Sequence, residues 1–197
     1  MDEQEAIARL KRGEIGGLEV LVLRHQTQAL HSAYLVCRDR QLAEDIVQAA
    51  FLRVYERAAQ FDSRRPFAPW FLRIVVNDAL KAATRGQRQI SLSADAVTGL
   101  IERSGDIEQV VELAIAHKEI AAALNQLSAR QRAAIVLRYY LDQSEVQMAA
   151  QLKIEPGAVK RRLQVARQRL RQLLPAWLHP AAAPLEGDDS GVKEGLK

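Results

Sequence analysis

The sequence predicts an all-α protein of two small helical domains joined by a flexible linker, the C-terminal domain being a helix-turn-helix. Along most of the 197 residues, apolar side chains recur at intervals of three and four, the period of an amphipathic helix. Ten glycines and six prolines are too few for a turn-rich β-sandwich or barrel. Between residues 87 and 105 a stretch rich in Ser, Asp, Thr and Gly interrupts the period, and it is long for a loop inside one compact domain.

Four helices are predicted in the first domain, residues 1–86. Asp2 is suited to cap the first helix and Gly13 to end it, while Pro66 lies where a helix naturally starts. The helices run to about Arg12, from Gly16 to about Cys37, from Leu42 to about Ala59, and from Pro66 to about Arg85. The third and fourth should bury Ile46, Val47, Ala50, Phe51, Val54, Ala58, Trp70, Phe71 and Ile74.

Four more helices are predicted in the second domain, residues 106–178. Asp106 caps a helix that runs to about Leu127. The segments 128–131 and 144–147 both match the capping box Ser/Thr-x-x-Glu/Gln, so each starts a helix. The last helix opens at Glu155-Pro156-Gly157 and ends at about Leu174. Residues 179–197 have too little apolar content to pack and are predicted to form a disordered tail.

Several classes of function are excluded by composition. No apolar stretch approaches the roughly 20 residues that span a bilayer, and the acidic N-terminus does not resemble a secretory signal, so the protein is expected in the cytoplasm. One cysteine, Cys37, rules out an intramolecular disulfide, and its apolar register favours a buried structural thiol. The four histidines show no metal-ligand spacing, so neither a metal nor a cofactor is expected. With no phosphate loop or nucleophile elbow, the sequence does not indicate an enzyme.

The last helix carries the clearest functional signal. Residues 157–174 contain six basic residues and no acidic one, although the net charge of the whole chain is only +4. On a helical projection, Val159, Leu163 and Ala166 form an apolar stripe, while a cationic side adjoins it. A merely solvated face usually mixes charge signs, so this face favours nucleic acid as the partner. A short capped helix and a tight turn precede it, which is the helix-turn-helix arrangement.

The C-terminal half also resembles a known family. The segments LSARQR (127–132), VLRY (136–139) and GAVKRRL (157–163), with Ser144, Ala149 and Ala166-Arg167, are similar to the promoter-binding domain of extracytoplasmic-function (ECF) sigma factors of bacterial RNA polymerase. In that family this domain binds the −35 element. The resemblance implies contacts to −35 DNA from Arg130, Arg138, Ser144, Lys160, Arg161, Arg162, Gln164, Arg167 and Arg171.

An independent resemblance lies in the N-terminal half. The segments AEDIVQAAFLRVYERAAQFD and FAPWFLRIVVNDALKAATR are similar to the other conserved domain of the same family. The resemblance implies that Asp45, Gln48 and Leu52 dock on the clamp helices of the largest polymerase subunit. It also implies that the segment 61–85 melts and captures the −10 element, through Phe61, Arg64, Arg65, Phe67, Arg73, Asn77, Lys81 and Arg85. The family often has an acid where this sequence has Ala49, so one polar contact of the docking face is expected to be missing there. It often has Arg at Val76 and Asp at Lys81, so base preference in the segment 61–85 is expected to differ from that of common members.

Together the two halves imply an alternative sigma factor that binds core RNA polymerase and promoter DNA, as duplex at −35 and as melted strand at −10. Members of this family are often restrained by an anti-sigma protein, which is therefore a further implied partner. The alternative is a stand-alone helix-turn-helix regulator. Such a protein would usually bind a palindrome as a dimer and would need no polymerase-docking face. The resemblance of the N-terminal half argues against it.

Overall fold

The computed structural model describes residues 1–86 and 119–176, and within these ranges every regular element is helical, as predicted. The elements are α1 (Glu3–Lys11), α2 (Gly16–Cys37), α3 (Arg40–Glu56), a 3-10 turn (Ala58–Gln60), α4 (Phe67–Gly86), α5 (residues 119–125), α6 (Ala129–Ile135), a π-helical turn (Val136–Tyr140), α7 (Glu145–Leu152) and α8 (Pro156–Leu173). In the same ranges no helix is long and apolar enough to cross a membrane. The predicted linker 87–105 and tail 179–197 lie outside the described residues.

Local side-chain caps set the helix starts in the N-terminal half. The Asp2 carboxylate accepts a hydrogen bond from the Glu5 amide at 2.7 Å, as predicted for α1. Helix α3 begins two residues earlier than predicted, because Asp39 caps it and accepts a bond from the Leu42 amide at 2.9 Å. It also ends earlier, at Glu56, since the chain tightens there into the 3-10 turn.

The N-terminal half is built around an aromatic cluster. The rings of Phe51 and Phe71 lie 4.4 Å apart, those of Phe67 and Phe71 5.5 Å apart, and Phe61 packs on Trp70 at 4.7 Å. The six predicted core positions of α3 and its C-terminal turn are all buried, and Phe71 is fully buried, whereas Trp70 and Ile74 are half-buried at the edge of the core. This core fixes α4 and the loop that precedes it.

Helix α1 lies close against α2 at Gly17. A Cβ atom built on Gly17 would lie 2.3 Å from the Ala6 carbonyl oxygen, so only a glycine permits this approach. A second contact joins the same helices, because the imidazole Nε2 of the buried residue His25 lies 2.7 Å from the Glu3 carboxylate. No sequence pattern indicates this pair, whose members lie 22 positions apart.

In the C-terminal half both predicted capping boxes are present. The hydroxyl groups of Ser128 and Ser144 accept bonds from the amides of Gln131 and Gln147, whose side chains accept bonds from the serine amides in return. Helix α7 ends at Lys153 in a left-handed conformation, with φ 54°, which makes the tight turn into α8. The predicted helix-turn-helix is therefore confirmed.

The two halves share one hydrophobic core. Buried residues of α6, α7 and α8, among them Ala133, Met148 and Val159, pack in the same cluster as those of α2 and α4. At the junction the guanidinium group of buried Arg132 donates to the Val36 carbonyl at 2.9 Å and to the Leu127 carbonyl at 2.5 Å. The Val36 carbonyl lies in the last turn of α2, where the helix dipole favours a cation, and the Leu127 carbonyl lies in the bend that follows α5.

Candidate nucleic-acid interface

The cationic side of α8 is largely exposed, and none of its cations faces a carboxylate partner among the described residues. Val159, Leu163 and Ala166 are buried against α6 and α7, which leaves the adjoining side in solvent. The exposed members of the predicted −35 set are Arg130, Ser144, Lys160, Arg161, Gln164 and Arg171, whereas Arg138, Arg162 and Arg167 are half-buried. In the part of the chain that the structure describes, no ion pair uses a cation of α8.

Two arginines of this side lie close enough to influence each other. Burial lowers the pKa of Arg162, and the charge of Arg130 on α6 lowers it further. Because like charges repel, an anion that binds near both guanidinium groups would relieve this repulsion. The structure therefore brings α6 and α8 together into one cationic surface.

Three members of the −35 set already have partners within the protein. Arg138 donates to the Gln143 carbonyl at 3.0 Å and so holds the loop before α7, while Ser144 caps α7. Arg167 donates through Nε to the Tyr139 hydroxyl at 2.7 Å, and its guanidinium carbon lies 5.8 Å from the centre of the Tyr139 ring. Tyr139 belongs to the VLRY motif (136–139), but that motif alone indicates no role for it.

The predicted −10 segment divides into a buried and an exposed part. Phe61 and Phe67 are both buried in the aromatic cluster, so their side chains support the intervening loop from beneath. Arg64 and Arg65 are exposed on that loop and lie at 2.9 Å and 3.7 Å from the Asp62 carboxylate. The hydrogen bond with Arg64 is the main reason why the pKa of Asp62 is lowered.

Farther along α4, the same segment contacts the helix-turn-helix. The Gln151 amide on α7 donates to the Asn77 side-chain oxygen at 3.4 Å, and Arg73 donates to the Ala150 carbonyl at 3.4 Å. Lys81 lies 3.2 Å from Asp78, which also binds Arg53 of α3 at 2.6 Å. Sequence reasoning missed these pairs, and Arg85 is exposed beyond them.

The predicted polymerase-docking face of α3 lies in solvent, opposite its buried face. Asp45 and Gln48 are exposed, and Asp45 accepts a bond from Gln41 at 3.2 Å. Leu52 has 54% of its surface exposed, so it contributes little to the packing of the core. Tyr55, one turn farther on, is exposed as well and was not among the predicted residues.

No group of three His, Cys, Asp or Glu side chains within residues 1–86 and 119–176 could hold a metal ion. Cys37 is half-buried, and its thiol donates to the Asp39 carbonyl at 3.2 Å.

Comparison with known proteins matches the two halves to two conserved regions of one family. Residues 21–89 match Sigma-70 region 2, and residues 117–170 match Sigma-70, region 4. The RNA polymerase sigma-H factor of Pseudomonas aeruginosa is 28% identical over 188 residues, which cover 91% of this chain and 97% of that protein. The ECF RNA polymerase sigma factor SigM of Mycobacterium tuberculosis is 31% identical over 172 residues, which cover 87% of this chain and 84% of that protein.

Two solved structures share the fold. One is CnrH in complex with the cytosolic domain of CnrY, with a TM-score of 0.57 and 24% identity, covering 87% of this chain and 96% of that chain. The other is the sigma factor RpoE in complex with the anti-sigma factor NepR from Bartonella quintana, with a TM-score of 0.60 and 24% identity. That match covers 79% of this chain and 94% of the solved one. At this identity the likeness concerns the fold alone.

Proposed function

This chain belongs to the ECF sigma factors of the sigma-70 family, and from that membership we propose how its surfaces act when RNA polymerase starts transcription. As a sigma factor it is an alternative initiation factor, which binds core RNA polymerase and directs it to promoters. We propose that it acts by binding polymerase and promoter DNA and catalyses no chemical step of its own. The proposed place of this binding is the cytoplasm. The observation that carries the proposal is the largely exposed cationic side of α8, which forms no ion pair among the described residues, in a helix-turn-helix that follows a sigma region 2.

We assign −35 recognition to the C-terminal domain, for which we propose residues 106–178. Helix α8 follows the tight turn as a recognition helix does, and the side chains of its first turns would meet base edges in the major groove. Lys160, Arg161 and Gln164 occupy these turns and are exposed. Arg130, Arg138, Ser144, Arg162, Arg167 and Arg171 surround them and would bind the phosphate backbone, which fixes the register of the helix on the duplex.

We assign −10 capture to residues 61–85 of the N-terminal domain, for which we propose residues 1–86. Promoter opening exposes unstacked bases and single-stranded phosphates. A protein that captures them therefore needs a pocket for a base and cations for the phosphates. Arg64, Arg65 and Arg85 are exposed there, and the buried rings of Phe61 and Phe67 hold the loop in shape. The Asn77 amide is the group suited to a base edge, with Arg73 and Lys81 beside it on α4.

The two DNA-binding surfaces must separate for this function. The −35 and −10 elements lie about 25 base pairs apart, or about 85 Å at about 3.4 Å per base pair. In the structure α4 and α7 are in direct contact, with Asn77 3.4 Å from Gln151. Residues 87–118 connect the halves, and a chain of that length reaches roughly 100 Å when fully extended. We therefore propose that the halves part when polymerase and promoter are bound.

We propose that Asp45, Gln48 and Leu52 contact core polymerase. They contribute little to the fold, because the opposite face of α3 supplies its buried side chains. An anti-sigma protein is a further proposed partner, of the class that accompanies RpoE in the matching structure.

The test is reconstitution of the full chain with core RNA polymerase and a promoter library with randomised −35 and −10 elements. We expect transcripts from a subset of templates that share both elements. Asp45→Arg should weaken core binding by about tenfold or more, whereas Glu19→Arg, the same charge change at an exposed position of α2, should not. Binding to a palindrome as a dimer, without any polymerase-dependent initiation, would instead indicate a stand-alone regulator.

A further inference from the structure

Tyr139 makes the best-defined contact on the cationic surface, yet the function proposed above gives it no role. Its hydroxyl accepts the Nε–H of Arg167 at 2.7 Å, and its ring lies 5.8 Å from the same guanidinium group. Tyr139 itself keeps 60% of its surface exposed, so burial of the ring does not account for its position. The two residues are 28 positions apart and lie on different elements.

The backbone brings Tyr139 to this place through the π-helical turn Val136–Tyr140, in which the Leu141 amide donates to the Val136 carbonyl five residues back at 3.0 Å. Such wide turns are uncommon in helices and occur often at functional sites. The turn follows α6, and from it the Tyr139 side chain reaches Arg167 on the cationic side of α8.

The contact leaves Arg167 suited to bind an anion. An arginine has five N–H donors in one plane, and Tyr139 uses only the one on Nε. Among the described residues the terminal nitrogens of Arg167 have no partner, and these are the donors that hold a phosphate in a bidentate manner. The hydroxyl and the ring together fix the plane of the guanidinium group, so less side-chain freedom is lost when DNA binds.

We propose that Tyr139 is a positioning residue for promoter DNA, which orients Arg167 for a backbone phosphate of the −35 duplex. The inference rests on the proposed function of α8 and extends it to a residue outside that helix. Tyr139 acts through Arg167, so its contribution exists only while Arg167 is present.

The experiment measures binding of the full chain, in complex with core polymerase, to a duplex carrying its −35 element at several salt concentrations. The variants are Tyr139→Phe, Arg167→Ala and the double variant. Tyr140→Phe is the matched control, because it removes a hydroxyl from the same turn that faces His31 at 3.4 Å instead of Arg167. Thermal unfolding of each variant checks that the fold is kept.

We expect Tyr139→Phe to weaken binding about three- to tenfold with an unchanged salt slope, because the charge of Arg167 remains. Arg167→Ala should lower the salt slope by about one unit. In the Arg167→Ala background, Tyr139→Phe should have no further effect, and Tyr140→Phe should resemble the unsubstituted chain.

Equal losses from Tyr139→Phe in both backgrounds would overturn the inference and make Tyr139 a direct DNA contact. An affinity unchanged by Tyr139→Phe, with Arg167→Ala still lowering the salt slope, would overturn it while leaving the proposed role of Arg167 intact. If Arg167→Ala has no effect either, the phosphate role proposed for Arg167 fails together with the inference.

Discussion

Cys37, the single cysteine of the chain, lies half-buried at the end of α2. Burial is the main reason why the pKa of its thiol is raised. A thiol pKa raised by folding stabilises the folded chain below the ordinary thiol pKa of about 8.5, and this stabilisation is lost as the pH rises through the folded-state value.

We therefore predict slow alkylation of Cys37 in the folded protein near pH 8, because the thiolate is the reactive form. The rate should be several-fold lower than in the urea-unfolded chain, and it should continue to rise with pH after the unfolded chain has reached its plateau. Cys37→Ser serves as the blank for the reagent. Identical pH profiles in the folded and unfolded states would contradict the prediction.

Single residues were predictable from sequence where their role depends on helical periodicity. The buried face of α3 and the apolar stripe of α8 follow from steps of about 100° per residue, so their exposed neighbours follow too. The contacts of Asn77 with Gln151 and of Asp78 with Arg53 were not predictable, since each joins residues from different helices. Only packing of the helices brings those side chains together.

At the scale of elements, the attachment of α1 to α2 depends on Gly17. A Cβ there would meet the Ala6 carbonyl oxygen at 2.3 Å and the Leu10 amide nitrogen at 2.9 Å, both backbone atoms that cannot turn aside. We predict that Gly17→Ala displaces α1 and lowers the free energy of unfolding by about 1–3 kcal/mol. Urea denaturation measures this loss.

Gly16→Ala is the control, because a Cβ at Gly16 would have no atom within 4 Å. It should be neutral or slightly stabilising, as alanine favours helices over glycine. Equal urea midpoints for the two variants would show that α1 does not depend on this close approach.

Substitutions along α8 should fall into two kinds. Alanine at Lys160, Arg161 or Gln164 should cost about 1–3 kcal/mol on the preferred −35 sequence and relax preference at one base position. Alanine at Arg171, farther along the same side, should weaken all sequences alike and reduce the salt slope by about one unit. Binding of the polymerase complex to a set of −35 variants at several salt concentrations separates the two. Uniform losses at all four positions would mean that the helix contacts only the backbone.

Element boundaries were predictable where the signal is local. Both capping boxes lie within four consecutive residues, and Pro156 occupies the first position of α8 as expected. The start of α3 was predicted two residues too late, because the apolar pattern begins only at Leu42. The cap that actually starts the helix is Asp39, which is not part of that pattern. The π-helical turn has no sequence signature, so the position of Tyr139 could not be foreseen.

For the molecule as a whole, the buried Arg132 is the main polar link between the halves. Burial lowers its pKa to about 10, which leaves it charged at neutral pH, and among the described residues no carboxylate pairs with it. The hydrogen bonds to the Val36 and Leu127 carbonyls compensate for the loss of water around the buried charge. Removing the guanidinium group leaves both oxygens without this donor. Each oxygen that no water molecule reaches then lowers the free energy of unfolding by about 1–3 kcal/mol.

We predict that Arg132→Met shifts the free chain toward a more extended form, which small-angle X-ray scattering detects as a larger radius of gyration. Arg130→Met is the control, because it removes the same group from an exposed position of α6. Should both variants scatter like the unsubstituted chain, Arg132 would be a component of α6 packing and not the link between the halves.

The two capping boxes have a consequence for how the chain exchanges its amide hydrogens. Each box closes within its own four residues, so parting of the halves breaks none of its bonds. The amides of Gln131 and Gln147 should therefore stay protected from deuterium in the free chain and in the polymerase complex alike. Loss of this protection would therefore report on unfolding at the starts of α6 and α7, and not on parting of the halves.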